Sequence, residues 1–428
     1  MTLNSVRALQ IFNILRFGGT FLIGVLLAKS GLPTAEIALY ETLLFLSNLL
    51  SFFWVMGGQN ALLQFFPTLE ERTRPAALFN TFCLFLGGGA FAAAVLWFGG
   101  DWLTRHLTRY ESLPYLPYVC LFLVFQPVGW LLHHYYLLLK NYGAILWVGA
   151  LSFSLQVAAV VGPIFLGYSL EVSFQALALW AFLRFAFLCG VVWKHGARRF
   201  DWTYCRAYLL LALPLVLHIL IGHGMEYIDG IIVSTFFEER SVFAIYRYGA
   251  REFPLALLLV GGLVSASIAE VSEDMQTGLA HLRRRVLHLF HLLFPLGLVL
   301  MLSSHHLYRL VYNEDFVASA DVFNVYLLIL SSRLLLPQVV LLGYRRNYVL
   351  VASAVVETVV NIALSLWWVR LWGLEGIALA SVVAFFLNKL NMAVYAWAKL
   401  GIPPGAYLPL NWWAFYTALL FLAWRLTL

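Results

Sequence analysis

Six basic side chains lie inside long apolar stretches of this sequence, where a charge is costly, and four of the six are candidate site residues. These four are Arg16, Arg184, Arg333 and Lys389. A charge at the centre of a lipid bilayer costs about 2.5–3.5 kcal/mol on insertion scales, so such a residue usually faces a wet cavity or a partner. These four residues are therefore predicted to line a wet, cationic cavity.

Acidic side chains occur in the same apolar stretches, and four of them are candidates for ion coupling. They are Glu41, Glu226, Asp229 and Glu357. Intramembrane carboxylates commonly bind a cation, relay protons or pair with a neighbouring basic residue. Helical spacing places Glu226 and Asp229 on one polar stripe, and it places Glu357 with Asn361 on another. Ion binding, proton relay and pairing with a neighbouring cation all stay open for these acids, and the sequence predicts no bound cofactor, no catalytic residue and no metal centre.

A second interpretation applies to charges near the ends of the apolar stretches, because long side chains can reach the membrane surface or pair there. Glu41 and Arg247 occupy such positions. Arg16, Glu357 and Lys389 lie deeper in their stretches. Their depth favours the cavity over the membrane surface.

The elements that carry these charges must be membrane-spanning helices. Of the 428 residues, 62% are hydrophobic and 11% are charged, and the mean hydropathy is +0.84, which is typical of an integral membrane protein. About 20 apolar residues form a helix that crosses the hydrocarbon core. Core spans are predicted near residues 8–29, 37–62, 77–99, 114–139, 143–166, 172–193, 207–235, 242–269, 286–304, 318–342, 348–369 and 375–398. The stretch 410–427, rich in tryptophan, is a marginal thirteenth span.

The twelve core spans follow one six-helix plan that occurs twice. The tripeptide that starts at Lys140 recurs at Arg346, and Gly167 recurs as Gly373; 346 minus 140 and 373 minus 167 are both 206. Because six is an even number, both copies enter the membrane from the same side. The predicted fold is therefore an all-α polytopic membrane protein with two parallel six-helix repeats.

Domain limits and orientation follow from the spans and the loop charges. The predicted parts are an N-terminal bundle at 1–193, a cytoplasmic linker at 194–206, a C-terminal bundle at 207–398 and a tail at 399–428. With the N-terminus inside, the cytoplasmic loops contain fourteen lysines and arginines and the outer loops seven, in line with the positive-inside rule. The basic stretch 278–291 is predicted either as a helix on the anionic inner surface or as a loop that only sets topology.

Several features exclude other classes of function. Gly87-Gly88-Gly89 lies inside an apolar span without a following Lys-Ser or Lys-Thr, so it predicts close helix packing and not a phosphate loop. The four cysteines lack the close spacing of a zinc or iron–sulfur site. The pattern predicts neither ATP hydrolysis nor nucleic-acid binding, and the chain is not expected to be an enzyme.

Three short sequence segments resemble those of a known family. They are Gly57-Gly58-Gln59-Asn60-Ala61 with Phe65-Phe66-Pro67, then Leu310-Val311-Tyr312-Asn313-Glu314-Asp315-Phe316, and Trp372-Gly373-Leu374-Glu375-Gly376-Ile377-Ala378. With the twelve-span plan, they resemble polysaccharide flippases of the Wzx type, in the multidrug/oligosaccharidyl-lipid/polysaccharide exporter (MOP) superfamily, which also contains the multidrug exporters called MATE. The resemblance covers nearly the whole chain in topology.

The resemblance implies a flippase that moves undecaprenyl-diphosphate-linked oligosaccharide across the bacterial inner membrane by alternating access. In such a flippase the substrate-binding residues would be the cations Arg16, Arg184, Arg333 and Lys389, which would replace the water around the diphosphate. Coupling to an H⁺ or Na⁺ gradient would fall to the acids Glu41, Glu226, Asp229 or Glu357. It also implies membrane lipids, a polysaccharide polymerase or glycosyltransferases as partners. A MATE-like multidrug or cation antiporter is an alternative, as is a flippase for the peptidoglycan lipid precursor, which would ordinarily have more spans. A non-transporting scaffold and a membrane transferase for glycolipids are alternatives from other classes.

Overall fold

The computed structural model describes residues 5–108, 110, 112–251 and 253–427, with the side chains of residues 5, 6, 223, 226, 254 and 269 left out. Within these ranges the chain forms helices and no strand. The helices make up two compact units. The first contains the chain up to Tyr227 and the segment Phe237–Ser241, and the second contains Ile228–Phe236 and the chain from Val242 onward. The predicted linker 194–206 therefore lies within the first unit.

Eight helices form the first sequence repeat. They are α1 (Ser5–Lys29), α2 (Thr34–Leu49), α3 (Phe52–Phe65), α4 (Arg74–Leu107), α5 (Leu116–Gly129), α6 (Leu131–Leu138), α7 (Tyr142–Phe165) and α8 (Leu170–His195). α2 and the segment that begins with α3 meet at an angle of 48° and are together long and apolar enough for the predicted second span. α5 and α6 together form the fourth span.

The second sequence repeat has the same order of spans. Its helices are α9 (Trp202–Phe236), α10 (Ser241–Gly249), α11 (Pro254–Glu273), α12 (Met275–Val311), α13 (Ser319–Leu327), α14 (Ile329–Arg333), α15 (Pro337–Gly343) and α16 (Asn347–Leu400), followed by α17 (Leu410–Thr427). α16 contains the fifth and sixth spans of this repeat, separated at Gly373 by non-helical backbone.

The number of spans agrees with a polytopic membrane protein. Among the described residues, nine helices are long and apolar enough to cross a membrane, and two bent pairs raise the number to eleven. The predicted all-helical polytopic fold is therefore confirmed. α17 is a helix of 18 residues, as predicted for the thirteenth stretch, but it is not among these spans.

The turn before the fifth span of each repeat corrects the predicted offset by one residue. Lys140 and Arg345 both have a φ of +56°, and each donates its amide to the carbonyl three residues earlier. The structural equivalent of Lys140 is thus Arg345, at an offset of 205, whereas Gly167 and Gly373 both have positive φ at an offset of 206. The two fifth spans therefore differ in length by one residue.

The predicted linker after α8 is bound to helix α4 of the first unit by side-chain and backbone hydrogen bonds. The Asn80 amide on α4 donates to the carbonyl of Arg199 over 2.9 Å, and its oxygen accepts the Asp201 amide over 2.9 Å. The Ala197 amide also donates to the carbonyl of Pro75. Asn80 is fully buried, so this part of the linker is packed into the first unit.

The basic stretch 278–291 is neither a separate surface helix nor a loop, which corrects both predictions. It forms the first turns of α12, whose 37 residues span about 55 Å, well beyond the roughly 30 Å of the hydrocarbon core. Asp274 caps this helix by accepting the amides of Gln276 and Thr277. Hydrogen bonds from Thr277, followed by that from Gln276, lower the pKa of the Asp274 carboxyl from its usual range.

The glycine run in α4 packs helices together, as its position in an apolar span predicted. A Cβ added to Gly89 would lie 2.5 Å from the carbonyl oxygen of Val124 on α5. A Cβ on Gly88 would meet the Trp54 ring at 2.9 Å, whereas one on Gly87 would have no neighbour within 4 Å among the described residues. The absence of a side chain at Gly89 therefore allows the close approach of α4 and α5.

We expect Gly89→Ala to destabilise the protein and Gly87→Ala to leave it unchanged. The new methyl group at Gly89 meets a backbone oxygen that cannot turn away, and such overpacking costs about 1–3 kcal/mol. Thermal unfolding in detergent, followed by circular dichroism, measures the difference. Equal stability of the two variants would contradict this account of the contact between α4 and α5.

Candidate functional site

Two of the predicted cations lie over one indole ring in the first unit. The guanidinium carbon of Arg184 lies 4.9 Å from the centre of the Trp130 ring, and that of Arg16 lies 5.6 Å from it. Trp130 stands between α5 and α6, Arg16 on α1 and Arg184 on α8. Cation–π contacts at these distances are favourable, and more so away from water. The fold thus brings together two predicted substrate-binding residues from distant parts of the chain.

Arg184 is buried within the first unit, where hydrogen bonds and an aromatic ring fix its side chain. It is 6% exposed, donates to the Gly129 carbonyl over 3.0 Å and to the Gln126 side-chain oxygen over 3.2 Å, and packs over the Trp180 ring at 4.9 Å. These acceptors are neutral, so the charge of Arg184 is solvated by protein dipoles and aromatic rings. This arrangement fixes the side chain and adds positive potential to its surroundings.

Arg16 is half-buried, and its surroundings differ from those of Arg184. Its guanidinium contacts the rings of Phe17 and Trp130, and within the described part of the chain it has no ion pair. Its donors are therefore available to an anion. Glu41, predicted for ion coupling, is a buried residue of α2.

The other two predicted cations come together in the second unit. Lys389 and Arg333 each lie 4.9 Å from the centre of the Phe385 ring. Lys389 is 8% exposed and donates to the side-chain oxygen of Gln338 over 3.2 Å. Arg333 is half-buried. The second unit thus also contains one enclosed cation and one more accessible cation on an aromatic ring.

Arg184 and Lys389 occupy equivalent positions of the two repeats, which the sequence analysis missed. Arg184 follows Trp180 by four residues, Lys389 follows Phe385 by four, and both residues of the pair are offset by 205. In both repeats the cation lies 4.9 Å from that ring and donates to a glutamine of the fourth span. A comparison of the sixth spans at an offset of 205 would have found the signal. We call this arrangement the cation clamp.

Asp229 on α9 is the centre of a buried hydrogen-bond network in the second unit. Its carboxylate accepts the Ser381 hydroxyl over 2.6 Å and, more weakly, the Ser365 and Tyr326 hydroxyls over 3.5 Å each. Asn361 donates to Ser381 over 2.9 Å. Asp229 is 3% exposed and has no ion pair within the described ranges.

The donor set around Asp229 suits one small monovalent cation or one proton. The side-chain oxygen of Asn361 is buried and has no hydrogen-bond partner among the described residues. An unsatisfied buried oxygen is costly, and a bound cation would remove that cost. One carboxylate with neutral oxygen ligands balances a single positive charge, and no group of three His, Cys, Asp or Glu side chains occurs in the described residues.

Glu357 belongs to a row of side-chain hydrogen bonds that join the two halves of α16, before and after Gly373. It accepts a hydrogen bond from Asn388, and one helical turn away Asn391 donates to Ser353 over 2.9 Å. The stripe predicted for Glu357 and Asn361 therefore faces polar groups of the sixth span, and Ser353 lies on the same face. The side chain of Glu226, also predicted for ion coupling, lies outside the described residues.

Comparisons with known proteins identify the fold. No family model matches the chain, and no curated protein matches it in sequence. The lipid II flippase MurJ, in an inward closed conformation, superposes with a TM-score of 0.71 at 16% identity over 97% of both chains. An inward-facing MATE multidrug transporter gives 0.65 at 13% identity, over 98% of this chain and 99% of its own.

A third solved structure, a MOP superfamily transporter from Pyrococcus furiosus, gives a TM-score of 0.62 at 14% identity over 97% of this chain and 95% of its own. The binding pocket of that transporter is described as having reverse polarity. Identities this low establish the fold alone. The chain is therefore a multi-pass membrane protein with the fold of the MOP superfamily transporters MurJ and MATE.

Proposed function

We propose that this protein is a flippase for undecaprenyl-diphosphate-linked oligosaccharide and works by alternating access. The observation that carries the proposal is Arg16, an intramembrane arginine without an ion pair in the described residues, next to the enclosed Arg184. The likeness in fold to MurJ and MATE transporters supports a transporter in general. What the proposal adds to this likeness is the identity of the cargo, a lipid-linked oligosaccharide.

The diphosphate of such a cargo fits the chemistry of the predicted cations. Arg16 is half-buried and forms no ion pair in the described residues, so its donors could replace the water around the phosphate oxygens. Arg184 and Lys389 are enclosed and would act mainly through their charge, while they hold the aromatic rings in place. We assign Arg16 to direct contact with the diphosphate and Arg184 and Lys389 to positioning, while Arg333 stays a proposed substrate-binding cation of the second unit.

Asp229 is assigned to coupling with an H⁺ or Na⁺ gradient. The unsatisfied oxygen of Asn361 and the hydroxyls of Ser365 and Ser381 would complete a cation site. Helical transporters coordinate Na⁺ with oxygen atoms in the same way. Glu357 and Glu41 stay secondary candidates for this role.

We place the proposed transporter in the bacterial inner membrane, with its N-terminus on the cytoplasmic side. The twofold excess of basic residues in the predicted inner loops supports this orientation. The cargo would be loaded from glycosyltransferases on the inner side and passed to a polysaccharide polymerase on the outer side.

A flippase for the peptidoglycan lipid precursor is the second candidate, because MurJ is described as the lipid II flippase. The cargo of MurJ and the proposed cargo both carry a diphosphate on a polyprenyl lipid, so the cations fit both. The likeness in fold covers 97% of the MurJ chain, so the fold is compatible with either cargo.

The test is a flipping assay in proteoliposomes with three cargoes. Labelled undecaprenyl-diphosphate oligosaccharide, labelled lipid II and a fluorescent organic cation are compared, with protein-free vesicles as the control. We expect rapid movement of the oligosaccharide lipid between leaflets and no export of the cation. Transport of lipid II alone would favour the second candidate.

Export of the organic cation without lipid transport would overturn the proposal in favour of a MATE-like antiporter. A lack of all three activities in correctly inserted protein would favour the non-transporting scaffold. Formation of a new glycolipid from labelled precursor would favour the transferase.

A further inference from the structure

A cavity of about 700 Å³ lies at the N-terminal ends of α12 and α17, within the second unit. Its lining comes from the first turns of α12, with Arg283 and Arg284, and from the segment that leads into α17, with Asn411 and Trp412. The volume is within the range of small-molecule sites, about 300–1,000 Å³. None of the groups assigned to transport above lines this cavity.

The cavity has an excess of positive charge. Arg283 and Arg284 are exposed and form no ion pair in the described part of the chain. Their neighbour Arg285 binds Glu270 over 2.8 Å, and the same carboxylate also contacts His281 over 3.3 Å. The nearby acid is therefore already neutralised, and the two arginines at the cavity keep their charge for a ligand.

The start of α17 adds backbone donors to the same cavity. The Trp413 amide donates to the Pro409 carbonyl over 3.0 Å, while the amides of Leu410, Asn411 and Trp412 make no backbone hydrogen bond within the described ranges. Free amides at the N-terminus of a helix of 18 residues attract anions, and the helix dipole adds to this attraction. Arginine side chains and helix amides thus converge on one space.

Aromatic side chains place the cavity at the level of lipid head groups. Trp412 stacks on Tyr416 with ring centres 5.9 Å apart, and His291 on α12 contacts the Tyr416 hydroxyl over 2.8 Å. Tryptophan and tyrosine are enriched at membrane–water interfaces. The loop charges assign this end of α12 to the cytoplasmic side, where anionic lipids are concentrated.

We propose that this cavity binds the phosphate of an anionic phospholipid head group. Arg283 and Arg284 would contact the phosphate oxygens, and the amides at the start of α17 would bind the same group. The lipid would tie α12 to α17 at the inner membrane surface. The site does not depend on the cargo that the protein transports.

The test compares equilibrium binding of labelled phosphatidylglycerol to the purified full-length protein in detergent micelles. We expect the double variant Arg283→Gln/Arg284→Gln to bind at least about tenfold more weakly than wild type, because a hydrogen bond to a charged group contributes about 1.5–3 kcal/mol. The matched control, Arg345→Gln/Arg346→Gln, removes the same charge from exposed residues outside the cavity and should bind normally.

Three results would overturn the proposal. Equal binding by wild type and the cavity variant would exclude these arginines, and equal weakening in both double variants would indicate a general charge effect. Competition by inorganic phosphate at the same concentration as the lipid would indicate a free-phosphate site. The charge-preserving variant Arg283→Lys/Arg284→Lys checks folding, and it should retain most of the binding.

Discussion

Replacing Arg16 with glutamine should reduce flipping of the oligosaccharide lipid by about 10- to 100-fold, because the loss of charge-assisted contacts to a phosphate costs about 1.5–3 kcal/mol. The stability of the protein should not fall, since Arg16 contacts rings and has no ion pair in the described residues. Initial rates in proteoliposomes with equal amounts of inserted protein measure the effect.

The control for Arg16 is Lys29→Gln at the other end of the same helix. Lys29 is exposed in the last turn of α1, so its loss removes one charge and no proposed contact. Arg184→Gln provides a second comparison, because it should lower thermal stability along with flipping by leaving buried acceptors unpaired. Normal flipping by the Arg16 variant would refute the assignment of this residue while leaving the transport activity in place.

Replacing Asp229 with asparagine should remove the response of flipping to the coupling cation and slow the reaction by about tenfold or more. Asparagine has the same shape but no charge, so a bound cation would lose its only carboxylate ligand within the described network. The measurement is flipping under an imposed Na⁺ gradient and, separately, under an imposed pH gradient. Wild type should respond to one of the two gradients, and the variant to neither.

Asp101→Asn is the matched control, because Asp101 is an exposed acid of α4 outside the network. A direct readout accompanies it: the coupling cation should raise the melting temperature of wild type and not that of the Asp229 variant, since a ligand that binds the folded state stabilises it. A variant that kept its full response to the gradient would move the coupling site away from Asp229.

Most of the fold could be predicted from hydropathy, because each span must satisfy its backbone hydrogen bonds within one apolar segment. The six-span plan and the thirteenth helix were found in this way. The breaks within the second and fourth spans were not, since breaks such as the one after Leu49 occur inside continuous apolar sequence. The length of α12 was also missed, because its first turns are amphipathic and contain the consecutive Arg283, Arg284 and Arg285 among leucines and histidines.

The site was predictable as a set of residues but not as groups of neighbours. Intramembrane charge identified Arg16, Lys389 and Asp229 one by one. Their hydrogen-bond partners are mostly neutral, such as Gln338 for Lys389 and Ser381 for Asp229. Neutral polar residues are too common in the sequence to be recognised as partners. Only the packing of spans distant in sequence brings these partners together.

The cation clamp has a consequence for the history of the chain. A basic residue four positions after an aromatic ring, bound to a glutamine of the fourth span, occurs in the sixth span of each repeat. If the two repeats arose by doubling of one gene, the single six-helix precursor already had this pair. The first repeat uses arginine on tryptophan and the second lysine on phenylalanine, so the two copies share the chemistry of the contact rather than the identity of its residues.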